Sequence, residues 1–183
     1  VGQLAETYVT FLNSAGTASS GFEYDWSYMS YSLAANYELS DDMAVFGSIS
    51  KGSRVNADRL GDGGFYSNGT AANGSVENEL TSFEFGAKVD QDDYSLFATL
   101  FYVETDDVNS ESTNANGGAR VRGYESTGLE LEASTKIGEI DLRGSMTWTD
   151  AEIVSSNDAS IIGNTPRRQA DFVWSLSPSY QFG

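Results

Sequence analysis

The chain has 183 residues, enough for one domain or a piece of a larger one, and carries ten Lys and Arg against 27 Asp and Glu for a formal net charge of -17. That balance excludes nucleic acid as a partner, because neutralising phosphates requires a basic footprint. Neither Cys nor His is present, which removes disulfides, thiolate chemistry, His-ligated metals and His-dependent triads, while 19 Gly, two Pro and 13% aromatic residues suit a chain of twisted strands.

Eight strands are predicted, over residues 3–11, 22–38, 43–52, 78–89, 93–105, 120–137, 139–153 and 167–182. No basic, apolar leader opens the chain, so no signal peptide is expected, and no run approaches the roughly 20 apolar residues of a spanning helix. In the second strand Tyr31, Leu33, Ala35 and Tyr37 share one parity, and Ser30, Ser32 and Asn36 hold the other. In the fourth, Phe83, Phe85, Ala87 and Val89 oppose Ser82, Glu84 and Lys88. The fifth, "YSLFATLFYV" at 94–103, is apolar on both parities and breaks the rule locally. In the sixth, Leu129, Leu131, Ala133 and Ile137 oppose Glu130, Glu132 and Ser134; in the seventh, Ile140, Leu142, Gly144, Met146 and Trp148 oppose Asp141, Arg143, Ser145, Thr147 and Thr149. The last sets Phe172, Trp174, Leu176, Tyr180 and Phe182 against Gln169, Asp171, Ser175, Ser177 and Gln181. Successive side chains of a strand point to opposite faces, so these strands have one apolar and one polar face and need two different solvents.

The connections carry the next step. Those at 39–42, 90–92 and near Gly138 are short, whereas those at 13–21, 53–77, 106–118 and 154–166 are long and rich in Asn, Ser, Gly, Asp and Thr. Short and long alternate, which a soluble sandwich has no reason to do and an outer-membrane barrel does, with tight turns on one side of the bilayer and long loops on the other. The expected fold is all-β: an antiparallel up-and-down meander of about eight strands, with short turns at one end and long loops at the other, part of a β-barrel or closing into one. Alternation alone does not say which face is inside. Strands of twelve or more residues exceed the usual five or six and suit a tilted spanning strand with extensions, and Tyr37, Tyr102, Trp148, Tyr180 and Phe182 at strand ends would form interfacial girdles.

Few residues suggest chemistry. In a barrel Glu84, Lys88, Glu130, Glu132, Asp141 and Arg143 line the lumen; a solvated, mutually paired wall is the plain reading and contact with a polar ligand the sharper one. Glu130 and Glu132 have the separation of a glycosidase pair, but so do any same-face neighbours on a strand. "DQDD" at 90–93 lacks the Gly and terminal Glu of a calcium loop and stands where a turn is needed, so no metal site and no cofactor are expected. Phe65 and Tyr66, in the 53–77 loop, are the aromatics placed to stack on a sugar or chelate ring, against the commoner role of local packing anchors. The carboxylates of the 53–77 and 106–118 loops favour cations or neutral sugars over free anions.

Four sequence words, in order, resemble TonB-dependent outer-membrane receptors. "YSLAANYELSDDMAVFGSISKGSR" (31–54) is similar to the family's hairpin in which a strand ending in Tyr meets a short turn and a strand closing on S-x-G-x-R. "NELTSFEFGAK" (78–88) resembles its E, spacer, aromatic, E-x-G-x-K stretch, "YESTGLELE" (124–132) its s-x-G-x-E-x-E strand, and "GNTPRRQADF" (163–172) its G-x-x-P-x-R approach to the following strand. Ser53 and Val55-Asn56 depart from the aromatic residue and proline often found after the hairpin. The resemblance implies an internal portion, over residues 1–183, of a barrel of about 22 strands, here without plug domain, TonB box or closing strands, in the bacterial cell outer membrane. It implies TonB-dependent uptake of a scarce ligand such as a siderophore, vitamin or oligosaccharide, and no enzymatic activity. The implied partners are outer-membrane lipid, the TonB complex through the missing plug region, and a small ligand such as an iron chelate or sugar. The lumen-facing charges then become candidates for contact with plug or ligand. Two other classes stay open on the residues alone: a small structural or adhesive outer-membrane β-barrel, and a soluble carbohydrate-binding β-protein.

Overall fold

The computed structural model describes residues 27–55, 66–67, 70–71, 77–113, 119–180 and 182. Among the described residues nine strands follow in order: β1 (Tyr31–Ser40), β2 (Met43–Val55), β3 (Tyr66–Ser67), β4 (Thr70–Ala71), β5 (Glu77–Gln91), β6 (Tyr94–Thr113), β7 (Ala119–Ile137), β8 (Ile140–Ser156) and β9 (Phe172–Tyr180), with a 3-10 turn at Ala159–Ile161 before β9. β3 and β4 form a two-residue hairpin of their own, and the other seven make one antiparallel meander in the order β1-β2-β5-β6-β7-β8-β9. β1 and β9 each have one neighbour among the described residues, so the sheet is open. The strand expected over 3–11 lies outside the described residues.

Because the seven strands of the sheet follow in chain order, each antiparallel to the last, each reversal changes ends. The turns Asp41-Asp42, Asp92-Asp93 and Gly138-Glu139 therefore lie together, opposite the β2–β5, β6–β7 and β8–β9 connections. Asp93 accepts from the Lys136 amide at 3.1 Å and Asp42 from the Asp90 amide at 2.9 Å, stitching neighbouring strands at this end. Gly138 supplies the left-handed φ of 62° on which the β7–β8 turn pivots.

Register carries the two-faced pattern across the sheet. One row reads Tyr37, Val45, Ala87, Ala98, Leu131, Met146 and Trp174; the next reads Ala35, Gly47, Phe85, Leu100, Leu129, Trp148 and Phe172. On β6 this apolar band runs from Tyr94 to Tyr102, on β8 from Ile140 to Trp148 and on β9 from Phe172 to Tyr180. Nine residues is the length of a spanning β-strand. The band steps along the register: Tyr102 ends it on β6, but its partner Thr127 is already outside it and Leu129 begins it on β7. Such a step is what strands tilted to a flat slab produce. Tyr94, Tyr102, Trp148 and Tyr180 mark its borders, and the Tyr180 hydroxyl donates to the Glu139 carboxylate in the β7–β8 turn.

Burial separates this sheet from a soluble core. Among the described residues the buried apolar ones are Ala44, Ala151 and Ile153, while Leu33 (70% exposed), Phe85 (59%), Trp174 (66%) and Leu176 (57%) stand open on the apolar face. Above the band the same parity turns polar, with Lys51 paired to Glu79, and Glu104, Glu125 and Glu152 in one row.

Three sequence boundaries shift. Residues 27–30 precede β1 rather than belonging to it, and β9 begins at Phe172, since residues 163–171 form turns ahead of it. The 106–118 connection is mostly strand: β6 continues to Thr113 and β7 starts at Ala119, with Asp107 opposite Arg122 and Asn109 opposite Arg120. Sequence reasoning treated this stretch as loop because it has almost no apolar residues. Strand pairing there needs none, since the backbone ladder supplies it. β8 likewise outruns β9, and the chain after the 3-10 turn straps its free upper edge: Ile153 donates to Asn164 at 3.0 Å and accepts from Gly163 at 2.9 Å, and Thr149 donates to Asp171 at 2.9 Å.

Candidate functional site

The polar face is assembled from one parity of every strand. Small hydroxyls pair across strands there: Ser50 with Ser82 at 2.8 Å, Ser95 with Ser134 at 2.7 Å and Ser145 with Ser175 at 2.8 Å. Such pairs satisfy side chains locally and keep the wall low, leaving the long charged residues to project from it.

All six charged residues expected on this wall are on it. Glu84 sits between Ser48 and Phe101 and accepts from Ser48 Oγ at 3.1 Å. Lys88 and Glu132 share a row with Phe97 between them, and Glu130 lies between Thr99 and Thr147. Arg143 stands between Ser134 and Ser177, and Asp141 between Lys136 and Ser179. Glu132, Arg143 and Phe97 border one shallow depression with Ser134, Ser145 and Ser175. The charges are thus of mixed sign, with Glu130 and Glu132 neighbours on one strand face, and they spread along a common wall without converging on a point. Among the described residues no group of carboxylates could hold a metal ion, and "DQDD" forms the β5–β6 turn. Phe65 lies outside the described residues, and Tyr66 is described only as backbone in β3.

The apolar residues of β6 that broke the alternation have a structural explanation. Phe97 and Phe101 are on the polar face, as is Phe46 on β2. Phe101 lies over Gly128 on β7, where a Cβ would come within 2.3 Å of the ring and 2.4 Å of the Trp148 carbonyl oxygen. Phe46 lies over Gly86 in the same way, at 2.3 Å from the ring and 2.6 Å from the Ala98 oxygen. Each ring fills the place of a missing side chain on the neighbouring strand, covering backbone in a wall that is otherwise wet. The Gly in "FEFG" and in "ESTG" is what sequence reasoning held without its partner, because the partner comes from another strand.

A second row escaped it altogether. At the long-loop end of the polar face Arg54, Asn78, Asp107, Arg122 and Ser156 follow one another across β2, β5, β6, β7 and β8. Asn78 Nδ2 donates to Asp107 Oδ1 at 2.8 Å, which fixes that both point to this face. Carrying the β7 parity back from Glu130 through Arg122 would have found it.

The family described as "TonB dependent receptor-like, beta-barrel" matches residues 5–183. No curated protein matches the chain in sequence. Two solved structures resemble it: the ferric yersiniabactin uptake receptor FyuA from Yersinia pestis, with a TM-score of 0.65 and 20% identity over 90% of this chain, and the FrpB iron transporter from Neisseria meningitidis (F3-3 variant), with 0.63 and 14% over 94%. The chain spans 25% and 26% of those two proteins, and identities this low speak for the fold alone.

Proposed function

Because the chain belongs to the TonB-dependent receptor-like β-barrel family, we propose that it is a wall segment of a bacterial outer-membrane receptor that takes up a scarce ligand, foremost an iron chelate, with energy delivered through TonB. The family is one of outer-membrane receptors and transporters, not of enzymes. The observation that carries the reading is the sheet itself: a nine-residue apolar band bordered by aromatics on one face, and serines with charges of both signs on the other. Lipid would meet the first and a water-filled lumen the second. Glu84, Lys88, Glu130, Glu132, Asp141 and Arg143 would then face a plug or a passing ligand, and Phe65 and Tyr66 a ligand at the mouth. The iron preference is drawn from the two structural neighbours, both iron uptake proteins by description.

The test uses the full-length receptor in the outer membrane. The chain has no Cys, so Leu131→Cys and Ser145→Cys each add a single attachment point to it for a nitroxide label. The Leu131 label is expected to collide with lipid-dissolved oxygen and the Ser145 label with a water-soluble nickel chelate. Equal access of the nickel chelate to both would reject the membrane reading. Radiolabelled iron-chelate uptake should cease on deletion of TonB, and uptake that continues unchanged would reject the energised-transport part.

A further inference from the structure

We infer that the row Arg54–Asn78–Asp107–Arg122 at the long-loop end of the polar face is a subsite for an oxyanion of the ligand, with Arg122 as the residue that grips it. The inference rests on the receptor reading above and deepens it, since it assigns the chemical class of the cargo.

Arg122 carries the argument. Among the described residues, the buried side-chain nitrogen or oxygen without a hydrogen-bond partner is Arg122 Nε. A guanidinium offers five donors in a fixed fork, and a donor left unpaired away from water is costly, so this one is held for something the wall does not provide. Its cross-strand neighbour Asp107 is the obvious partner, yet that carboxylate accepts from Asn78 Nδ2 at 2.8 Å instead. Asn78 thereby engages Asp107, opposite Arg122 in the register, while Arg122 Nε stays without a partner. A turn about the terminal bonds of Arg122 presents its Nε–Nη edge to a carboxylate, phenolate or phosphate oxygen pair, the planar bidentate geometry that Arg suits and Lys does not.

The surroundings match a ligand that is part apolar. One row below, toward the membrane, Leu80 and Tyr124 share the polar-face parity beside the buried Ile153, and Leu80 is 41% exposed. An oxyanion on Arg122 would place the body of its carrier against this shelf.

Charge is also segregated by face at this level. The opposite parity bears Glu79, Glu104, Asp106, Glu125, Asp150 and Glu152 against Lys51, whereas the row itself holds two arginines and one aspartate. Net charge made the mouth look hostile to anions. Among the described residues at this level, sorting by face puts every carboxylate but that of Asp107 on the outer wall and leaves the inner row with two arginines to one aspartate, so an anionic chelate is repelled outside and favoured inside.

The experiment uses the purified full-length receptor in detergent and two iron complexes, anionic ferric citrate and neutral ferric tris(acetohydroxamate), with retention of radiolabelled iron as readout. The wild type is expected to prefer the anionic complex. Arg122→Gln should weaken citrate retention about tenfold, as for loss of a charge-assisted contact of about 1.5 kcal/mol, and leave the neutral complex within twofold; Arg122→Lys should restore only part. Heat-modifiable migration of each variant on gels shows that the barrel is intact, and should Arg122→Gln fail to fold, Asp107→Asn, which removes the competing charge and keeps a polar group, is expected to tighten citrate retention. A wild type that retains both complexes alike, or an anion preference that survives Arg122→Gln, overturns the subsite alone. A receptor that retains neither overturns the iron-chelate reading and the subsite with it.

Discussion

Arginine at Leu131 is expected to cost about 2 to 4 kcal/mol of folding free energy in lipid, and arginine at Ser145 close to nothing. The two residues are on adjacent strands and differ only in the face they occupy. Leu131 lies in the row with Val45, Ala98 and Met146, well inside the apolar band, whereas Ser145 pairs with Ser175 on the polar wall. Leu142 shares the apolar face but lies one row from the band's lower border at Ile140, so arginine there should fall at the low end of the range, because the cost declines toward the interface. Equilibrium refolding of the full-length receptor into lipid vesicles across a denaturant series measures all three. Equal penalties at Leu131 and Ser145 would mean that the faces are assigned wrongly.

Gly128→Ala and Gly86→Ala should each destabilise by about 1 to 3 kcal/mol, a large effect for one methyl group. At Gly128 the new carbon would stand 2.3 Å from the Phe101 ring and 2.4 Å from the Trp148 carbonyl oxygen; at Gly86 the distances are 2.3 Å to Phe46 and 2.6 Å to the Ala98 oxygen. The ring can swing aside and the backbone cannot. Adding Phe101→Ala to Gly128→Ala should therefore recover part of the loss and not all, and the non-additivity in a double-mutant cycle reports the ring's share. Gly52, whose Cβ would meet nothing within 4 Å, is the control: Gly52→Ala should be close to neutral. If the cycle proves additive, the rings do not rest on these glycines.

These glycines also show where sequence reading stopped. Parity on single strands was enough to sort Leu129, Leu131, Leu142 and Met146 from Glu130, Glu132, Asp141 and Arg143, because period two is a local property that one solvent boundary imposes on each strand. The alternation of turn and loop was legible for the same reason, since a meander with two kinds of water-exposed end writes connection length directly into the chain. The β6 run at 94–103 was not, because Phe97 and Phe101 owe their place on the wet wall partly to Gly128, 27 residues after Phe101. The reach of β6 to Thr113 was hidden too. Propensity and burial, the signals read in sequence, say little about a stretch whose strand pairing is a matter of backbone ladder hydrogen bonds. Arg122 was lost with that misplaced boundary, as a residue assigned to the edge of a loop has no face.

The nine-residue band has a bearing on the membrane as well as on the protein. At about 3.4 Å per residue it measures about 27 Å along a strand, and at a tilt of about 40° it subtends about 20 Å of the bilayer normal. A typical hydrocarbon core is thicker, at about 30 Å, and the bacterial outer membrane is thinner than average. Strands tied together by their backbone ladder cannot stretch, so any mismatch falls on the lipid, which must thin around them at a cost of fractions of a kcal/mol per Å. The seven-strand face is thus also a statement of preferred bilayer thickness, and it places the chain's most favourable setting in thin membranes.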